Sequence, residues 1–254
     1  MLYYIIFFII GTIVGSFLNV CIYRLPRAES IISPASRCPR CKKKIRAFDL
    51  VPILSFFLLR GKCRDCGAKI PFRYPMVEFL SGALFLAVAY AFPTPLEIVS
   101  YLIFAGLLLA IFFIDLEHQV IPDSLNISGI LFGLGFNFFR GMPQFFSALL
   151  GAGLGYLIFF LVSRIGLLIF QKEAMGEGDL FLAAFLGVYL GWERLFLAIF
   201  LAYLGAGVVA LFLLAAGKVK MGQAVPFGPA LAAAGLVTLF FGDMIANLYS
   251  RAFF

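Results

Sequence analysis

The chain has 254 residues, of which 63% are hydrophobic and only 13% charged, and its mean hydropathy is +1.04. Ordinary soluble domains are about half apolar and about a quarter charged. The composition therefore disfavours a soluble enzyme, a disordered tail protein and a disulfide-rich secreted scaffold, and it predicts a polytopic membrane protein.

The positive charge is concentrated in one segment near the amino terminus. The whole chain carries a net charge of +7, yet 13 of its 20 Lys and Arg and only three of its 13 acidic residues lie in the segment 24–73. That segment therefore has a charge of +10 and the remainder −3. Four of the five cysteines also lie in it. The sequence thus describes an apolar chain with one basic, cysteine-bearing insert.

Apolar stretches recur along the whole chain. A helix needs about 20 such residues to cross a hydrocarbon layer of about 30 Å. The stretches lie at 2–23, 76–92, 96–114, 125–139, 145–170, 180–190, 195–216 and 230–249. They predict an all-α protein of about eight transmembrane helices, the sixth of them short. The predicted domains are a first transmembrane helix (1–23), a tetracysteine loop (24–75, with flanking helices to about 92) and a transmembrane domain (96–254).

The charge distribution predicts how the chain is oriented. Cytoplasmic loops of membrane proteins hold an excess of Lys and Arg, so we expect segment 24–73 in the cytoplasm and the N-terminus outside. Alternating sides from there places the connections 115–123, 171–179 and 217–229 in the cytoplasm. Lys172, Lys218 and Lys220 agree with that placement.

Two Cys-x-x-Cys pairs stand 21 residues apart in the basic loop. The pairs are Cys38 with Cys41 and Cys63 with Cys66. This spacing is close to that of a tetrahedral zinc site, and four thiolates leave no open position for a substrate. We therefore predict a structural zinc ion in a zinc-ribbon-like insert. Two disulfides would fit poorly in a reducing cytoplasm, and the βαβ pattern of a thioredoxin-like redox pair is lacking.

Two carboxylates stand where apolar stretches meet the predicted cytoplasmic surface. Asp115 ends the third stretch, and Asp179 opens the sixth, directly after Gly176 and Gly178. Two carboxylates that approach one another share a proton, which suits them to activate water and to polarise a peptide carbonyl. The two glycines would let a substrate backbone come close. An alternative role for Asp179 is to cap the N-terminus of its helix. Asp115 lies at the C-terminal end of a helix, where the helix dipole disfavours a negative charge.

Motifs along the chain resemble those of the bacterial type IV prepilin peptidases, which are intramembrane aspartic proteases of the Gly-x-Gly-Asp type. The matching segments are GSFLNV at 15–20, RLP at 24–26, LLRGKCRDC at 58–66, RYPMVE at 73–78, FIDLEHQVIPD at 113–123, KEAMGEGD at 172–179 and PFGP at 226–229. Two positions depart from the family pattern: Ala174 stands where Gly is usual, and Phe181 where Lys is common.

The resemblance implies an activity and a site for it. Family members cleave a short basic leader from prepilins of type IV pili and pseudopilins of type II secretion, after Gly and before Phe, and then methylate the new amine with S-adenosylmethionine. Asp115 and Asp179 would be the catalytic pair. The methyl donor would bind near the loop, with Gly61, Lys62 and Glu78 as candidates. The implied location is the bacterial inner membrane, with the active site facing the cytoplasm.

Several alternatives accompany this interpretation. One is a peptidase without methylation, whose loop serves only for docking. Another is a proton- or metal-coupled transporter, although its carboxylates would be expected near the bilayer midplane. A nucleic-acid-binding zinc ribbon would leave the aspartates idle, so no nucleic-acid partner is expected. Because a +10 loop would repel a basic leader, we expect anionic lipids to contact the loop and neutralise it.

Overall fold

The computed structural model describes residues 2–171, 175–220 and 225–253, apart from the side chains of residues 170, 252 and 253. Within them the regular structure is helical, besides two isolated antiparallel bridges. The α-helices are α1 (Leu2–Arg24), α2 (Leu54–Leu58), α3 (Arg73–Ala91), α4 (Pro95–His118), α5 (Asp123–Arg140), α6 (Met142–Phe170), α7 (Glu177–Ala215) and α8 (Gly228–Phe253). The chain forms two compact units, Met1–Ala110 and Ile111–Phe254, whose boundary falls within α4.

The described part of the chain contains six helices that are long and apolar enough to cross a membrane, and this confirms an all-α membrane protein. They are α1, α3, α4, α6, α7 and α8. Helix α5 has 18 residues and is not among these six; it coincides with the predicted fourth stretch, 125–139.

Helix α7 is a hairpin of two arms, 177–190 and 192–215. Gly191 at its centre has non-helical torsion angles (φ 74°, ψ 168°). On α6, Tyr156 packs on Phe181 (ring centroids 5.6 Å apart), and Phe159 packs on Tyr203 (6.4 Å). In one straight helix, positions 181 and 203 would lie about 33 Å apart, so the chain must reverse between them. The sixth and seventh predicted stretches are therefore separate helical arms, and each of the eight stretches corresponds to a helical segment.

Small residues bring α1 and α3 together in the first unit. A Cβ atom added to Gly15 would lie 2.7 Å from the Cα atom of Glu78, and one added to Gly11 would lie 2.8 Å from that of Gly82. Between membrane helices, which lack a hydrophobic driving force, such close approach is the main source of packing energy. The α1–α3 pair thus forms a rigid base for the loop that joins them. That loop contains α2, which the sequence analysis did not predict.

The second unit uses the same principle to pack α6 on the first arm of α7. Gly151 lies against the backbone of Gly187, and Gly155 against that of Ala183. The second arm of α7 is tied to α8 by an ion pair, Arg194 to Asp243, at 2.7 Å. These contacts join α6 to the first arm of α7, and the second arm to α8, within the second unit.

Candidate functional site

Asp115 lies in the last turn of α4, where its side chain is buried. The backbone N–H of Gly228, at the start of α8, donates a hydrogen bond to its carboxylate. A Cβ atom at position 228 would lie only 2.5 Å from Asp115 Oδ2. The glycine of the PFGP motif is therefore required for close approach, and the motif lies directly against the predicted catalytic carboxylate.

Asp179 is the third residue of α7 and is half-buried. Its carboxylate accepts a hydrogen bond from the backbone N–H of Gly176 and lies near enough to Asp115 for the two charges to interact. Its Oδ1 atom is buried and has no hydrogen-bond partner among the residues that the structure describes. The fold thus brings together two carboxylates that are 64 residues apart in the sequence.

The turn before Asp179 is held by contacts from α5 and its preceding segment. A Cβ atom on Gly178 would lie 2.8 Å from Ile121 Cβ, so this position has no room for a side chain. The amide Nδ2 of Asn126, on α5, donates to the backbone carbonyl of Gly178 at 3.1 Å. Gly176 caps the helix. Both predicted glycines therefore shape the approach to Asp179.

Sequence reasoning missed two further features of this site. Asn126 is fully buried, but an Asn in an apolar helix belongs to no recognisable motif. The second feature is an aromatic cluster in which Phe227 packs on Tyr203 and Phe159, with ring centroids 5.0 and 6.0 Å apart. Phe159 lies on α6, Tyr203 on the second arm of α7, and Phe227 in the turn before α8. The cluster lies beside the carboxylates, because Phe227 directly precedes Gly228, which contacts Asp115, and because the charge of Asp179 acts on Tyr203. Ala174 and Lys172 lie outside the described residues.

The four cysteines of the loop form one cluster. Their Sγ atoms all lie within 4.8 Å of one another, and those of Cys38 and Cys66 are 3.8 Å apart. A tetrahedral zinc ion with Zn–S distances of about 2.3 Å requires sulfur atoms about 3.8 Å apart. All four are free thiols, so the cluster could hold a metal ion.

Each cysteine pair lies on a short hairpin, and the two hairpins have the same hydrogen bonds. In the first, Cys38 N–H donates to the Lys43 carbonyl and Lys42 N–H to the Cys38 carbonyl. In the second, Cys63 N–H donates to the Ala68 carbonyl and Gly67 N–H to the Cys63 carbonyl. This equivalence presents both thiol pairs to one point, as a zinc ribbon requires.

The thiols of the cluster differ in their ease of ionisation. Hydrogen bonds from the backbone N–H groups of Cys41 and Arg40 lower the pKa of Cys38 to about 7. A backbone hydrogen bond at Ala68 lowers the pKa of Cys66, but desolvation and the three neighbouring thiols outweigh it and raise the value to about 11. Since thiolates are the ligands of zinc, the lowered pKa of Cys38 favours metal binding at this thiol.

A cavity of about 420 Å³ opens beside the cluster in the first unit. Small-molecule sites typically measure about 300–1,000 Å³. Its lining includes the buried carboxylate of Glu78, whose Oε2 accepts the backbone N–H of Ile53 at 2.7 Å. Another lining carboxylate, Asp49, is paired with Arg64 at 2.7 Å, and Arg64 lowers its pKa.

The other two predicted cofactor-binding residues lie on the approach to the second hairpin. Gly61 has a φ of +65° and packs on the Phe56 ring. The backbone of Lys62 forms an antiparallel β-bridge with that of Lys69. Of the three candidates, Glu78 is the one that lines the cavity.

Comparison with known proteins agrees with the motifs. Residues 9–92 match the model of the bacterial peptidase A24 N-terminal domain, and residues 102–211 match that of the type IV leader peptidase family. No solved structure gives a significant match.

The relatives of this chain include proteins that carry the name prepilin leader peptidase/N-methyltransferase. The protein from Myxococcus xanthus strain DK1622 is 43% identical over 85% of this chain and 65% of its own length. That from Stutzerimonas stutzeri is 38% identical over 95% and 91%, and that from Neisseria gonorrhoeae is 36% identical over 93% and 90%. The chain thus spans about two thirds of the Myxococcus protein and about nine tenths of the other two. These matches confirm the resemblance, and the chain belongs to the type IV leader peptidase family.

Proposed function

We propose that this chain is a membrane aspartic endopeptidase that removes the leader from type IV prepilins and type II secretion pseudopilins, and that it N-methylates the residue so exposed. The family models and the names of the relatives support this pair of activities. The observation that carries the peptidase is the approach of two carboxylates, Asp115 and Asp179, from different helices.

The peptidase reaction uses the two aspartates as general base and general acid. The ionised carboxylate takes a proton from water, whose oxygen attacks the scissile carbonyl, while the neutral carboxyl donates its proton to the carbonyl oxygen. Two close carboxylates share one proton, so both roles are available at once. The tetrahedral intermediate then collapses, the C–N bond breaks and the leaving amine takes up a proton. Oδ1 of Asp179, which has no hydrogen-bond partner within residues 2–171, 175–220 and 225–253, is suited to hold the water.

The aromatic cluster of Phe159, Tyr203 and Phe227 is suited to receive an aromatic side chain after the scissile bond. Tyr203 is 43% exposed, so the cluster is open on one side. Aromatic rings attract one another in tilted and edge-to-face arrangements. This supports cleavage after Gly and before Phe, since Gly leaves the other side of the bond uncrowded.

The methyltransferase activity is assigned to the cavity of the first unit. When bound there, S-adenosylmethionine would supply an electrophilic sulfonium methyl group. The neutral amine of the cleaved pilin would form the N–C bond as the S–C bond breaks, with S-adenosylhomocysteine as the leaving group, and the methylated amine would then release a proton to solvent. Glu78, held by the Ile53 N–H, presents a buried carboxylate that attracts a sulfonium or an ammonium group. Gly61 and Lys62 are the further candidates for binding the donor.

Zinc is the proposed metal of the tetracysteine cluster, with a structural role. With four thiolates bound, the ion is coordinatively closed and takes no part in either reaction. Its place is beside the cavity, since both Cys38 and Cys63 contribute to the cavity lining. The ion would thereby fix the loop that shapes the methyltransferase site.

The proposed location is the bacterial inner membrane, with the N-terminus outside and the aspartates at the cytoplasmic face. The +10 charge of segment 24–73 supports this orientation. Anionic lipids are the proposed partners of the loop, besides the prepilin substrates, and nucleic acid is not a partner.

Leader cleavage by the purified protein in lipid nanodiscs tests the peptidase assignment. Asp115→Asn and Asp179→Asn should each reduce the cleavage rate by about 10²–10⁴-fold, because each removes one proton-transfer group. Asp123→Asn is the matched control, since Asp123 is exposed at the start of α5. Cleavage at the wild-type rate by either of the first two variants would refute the assignment.

A further inference from the structure

The basic loop contains an apolar run that neither proposed activity explains. Residues 50–59 read LVPILSFFLL, with Asp49 before them and Arg60 after them. An apolar run of this length is too short to span a bilayer and is typical of a buried or an interfacial segment. Its position and exposure distinguish between these two.

The run lies beside the membrane-spanning part of α3. The backbone N–H of Ile53 donates to Oε2 of Glu78 at 2.7 Å. Glu78 is the sixth residue of α3, so it lies about 7.5 Å along the helix from Arg73. With 19 residues, α3 is about 28 Å long and needs nearly its whole length to cross the hydrocarbon layer. The run therefore reaches the depth of the boundary between headgroups and acyl chains.

Helix α2 within this run has two different faces. Phe56 and Leu59 line the cavity of the first unit. Leu54, Phe57 and Leu58 share the other face, at i, i+3 and i+4, and are 62%, 63% and 82% exposed. Phe72 packs edge-on against Phe56, on the cavity side of the helix, and is itself 66% exposed. Soluble surfaces rarely carry a contiguous apolar patch of this kind.

We propose that the α2 face, defined as Leu54, Phe57 and Leu58, docks into an anionic bilayer interface. The apolar side chains would enter the boundary by about 5–10 Å, as those of interfacial helices do. Continuity with α3 supports a bilayer as the occupant, because the same chain enters the membrane at Arg73. Charge complementarity supports an anionic one, because the segment carries +10 and Arg60, exposed, follows the face directly.

This docking would fix the loop against the membrane at both its ends and its middle. The cavity, lined by the opposite face of α2, would then open at the level where a membrane-anchored substrate presents its terminal amine. The placement of the cavity relative to the substrate rests on the proposed methyltransferase activity. The docking of α2 does not depend on that activity, and its test measures no enzymatic activity.

The single tryptophan of the chain makes the proposal measurable in the full-length protein. Trp192 lies in the second unit, next to the turn of the α7 hairpin, and Trp192→Phe removes the background emission. Leu58→Trp in that background places an indole on the α2 face. Arg40→Trp is the control, at an exposed position of the first cysteine hairpin. Each protein is placed in nanodiscs of phosphatidylethanolamine and phosphatidylglycerol whose acyl chains are brominated near the headgroup.

Brominated chains should quench the indole at position 58 by about half and that at position 40 by less than about a tenth, because contact quenching requires the indole to lie at acyl-chain depth. Quenching at position 58 should weaken when phosphatidylcholine replaces phosphatidylglycerol. Equal quenching at both positions would overturn the docking, and equal quenching in both lipids would overturn its anionic preference.

The other possible occupants give different results. If position 58 is quenched only after a prepilin bearing a quencher is added, or only by a quencher on a second copy of the chain, the face binds protein and the proposal is wrong. Leu54→Trp serves as a second probe of the same face. Retention of metal by each variant shows that the loop is folded, and wild-type leader cleavage with no quenching would overturn the docking alone.

Discussion

At the residue scale, Asn126 is the group outside the motifs that most directly positions a proposed catalytic side chain. Its amide holds the carbonyl of Gly178, next to Asp179. We expect Asn126→Leu to lower kcat for leader cleavage by about 10²-fold, since a displacement of about 1 Å at a reacting group costs that much. KM should change little, and the pH profile of cleavage should shift because the two carboxylates are no longer held in the same arrangement. Steady-state kinetics across pH measures both.

Asn137 is the matched control on the same helix. Its amide donates to the carbonyl of Val188 at 2.9 Å, one of the carbonyls left unpaired where the first arm of α7 ends. Asn137→Leu should destabilise the protein by about 1–3 kcal/mol through an unsatisfied carbonyl, as Asn126→Leu should. Its pH profile should remain that of the wild type. A shifted profile in both variants would reduce Asn126 to a structural role.

The two kinds of site residue differ in how well the sequence reveals them. Asp115 and Asp179 are costly in apolar surroundings and lie within longer motifs, so they are identifiable from the amino-acid sequence alone. Asn126 has neither signal, because its function depends on a carbonyl 52 residues away. The left-handed turn at Gly61 illustrates a different limit. A φ of +65° requires Gly at this position. From the sequence alone, a Gly required by the backbone cannot be distinguished from a Gly required for binding a ligand.

At the element scale, the packing of α6 on the first arm of α7 depends on glycines that allow backbone contact. Gly151→Leu places a side chain against the backbone of Gly187 and should cost about 1–3 kcal/mol or more, because neither backbone can yield. Thermal unfolding in detergent micelles measures the loss. Gly153→Leu is the control, since an added Cβ atom there meets nothing within 4 Å. Equal melting temperatures for the two variants would contradict this account.

The long apolar helices can be predicted from the sequence, whereas the short helix α2 cannot. The apolar stretches follow from hydropathy alone, and the reversal at Gly191 is signalled by the change from apolar residues to Gly-Trp-Glu-Arg. Helix α2 was not predicted, because five residues within a basic loop produce no helical period. Its apolar character is visible in the sequence, but the depth at which it lies depends on a hydrogen bond between Ile53 and Glu78.

At the scale of the whole molecule, the proposed chemistry divides along the two compact units. The cavity and the four cysteines lie in Met1–Ala110, and both aspartates lie in Ile111–Phe254. The family models divide at nearly the same place, at residues 9–92 and 102–211. Inactivating the proposed site of one unit should therefore leave the activity of the other unit intact.

Removing the metal should consequently abolish methylation and spare cleavage. Cys63→Ser, or chelation of the wild-type protein, leaves three ligands or none and should lose the ion, because a closed tetrathiolate site depends on all four sulfurs. Metal content by mass spectrometry, methyl transfer from S-adenosylmethionine to a pre-cleaved pilin, and leader cleavage are measured on the same sample.

Asp179→Asn should give the reverse pattern, with metal and methylation retained and cleavage lost. Cys21→Ser, at a cysteine inside α1, is the control for thiol loss. If both activities fall together when metal is removed, then the cysteine cluster supports the entire fold. If methylation persists without metal, the cavity works without the cluster and the proposed structural role of zinc is wrong.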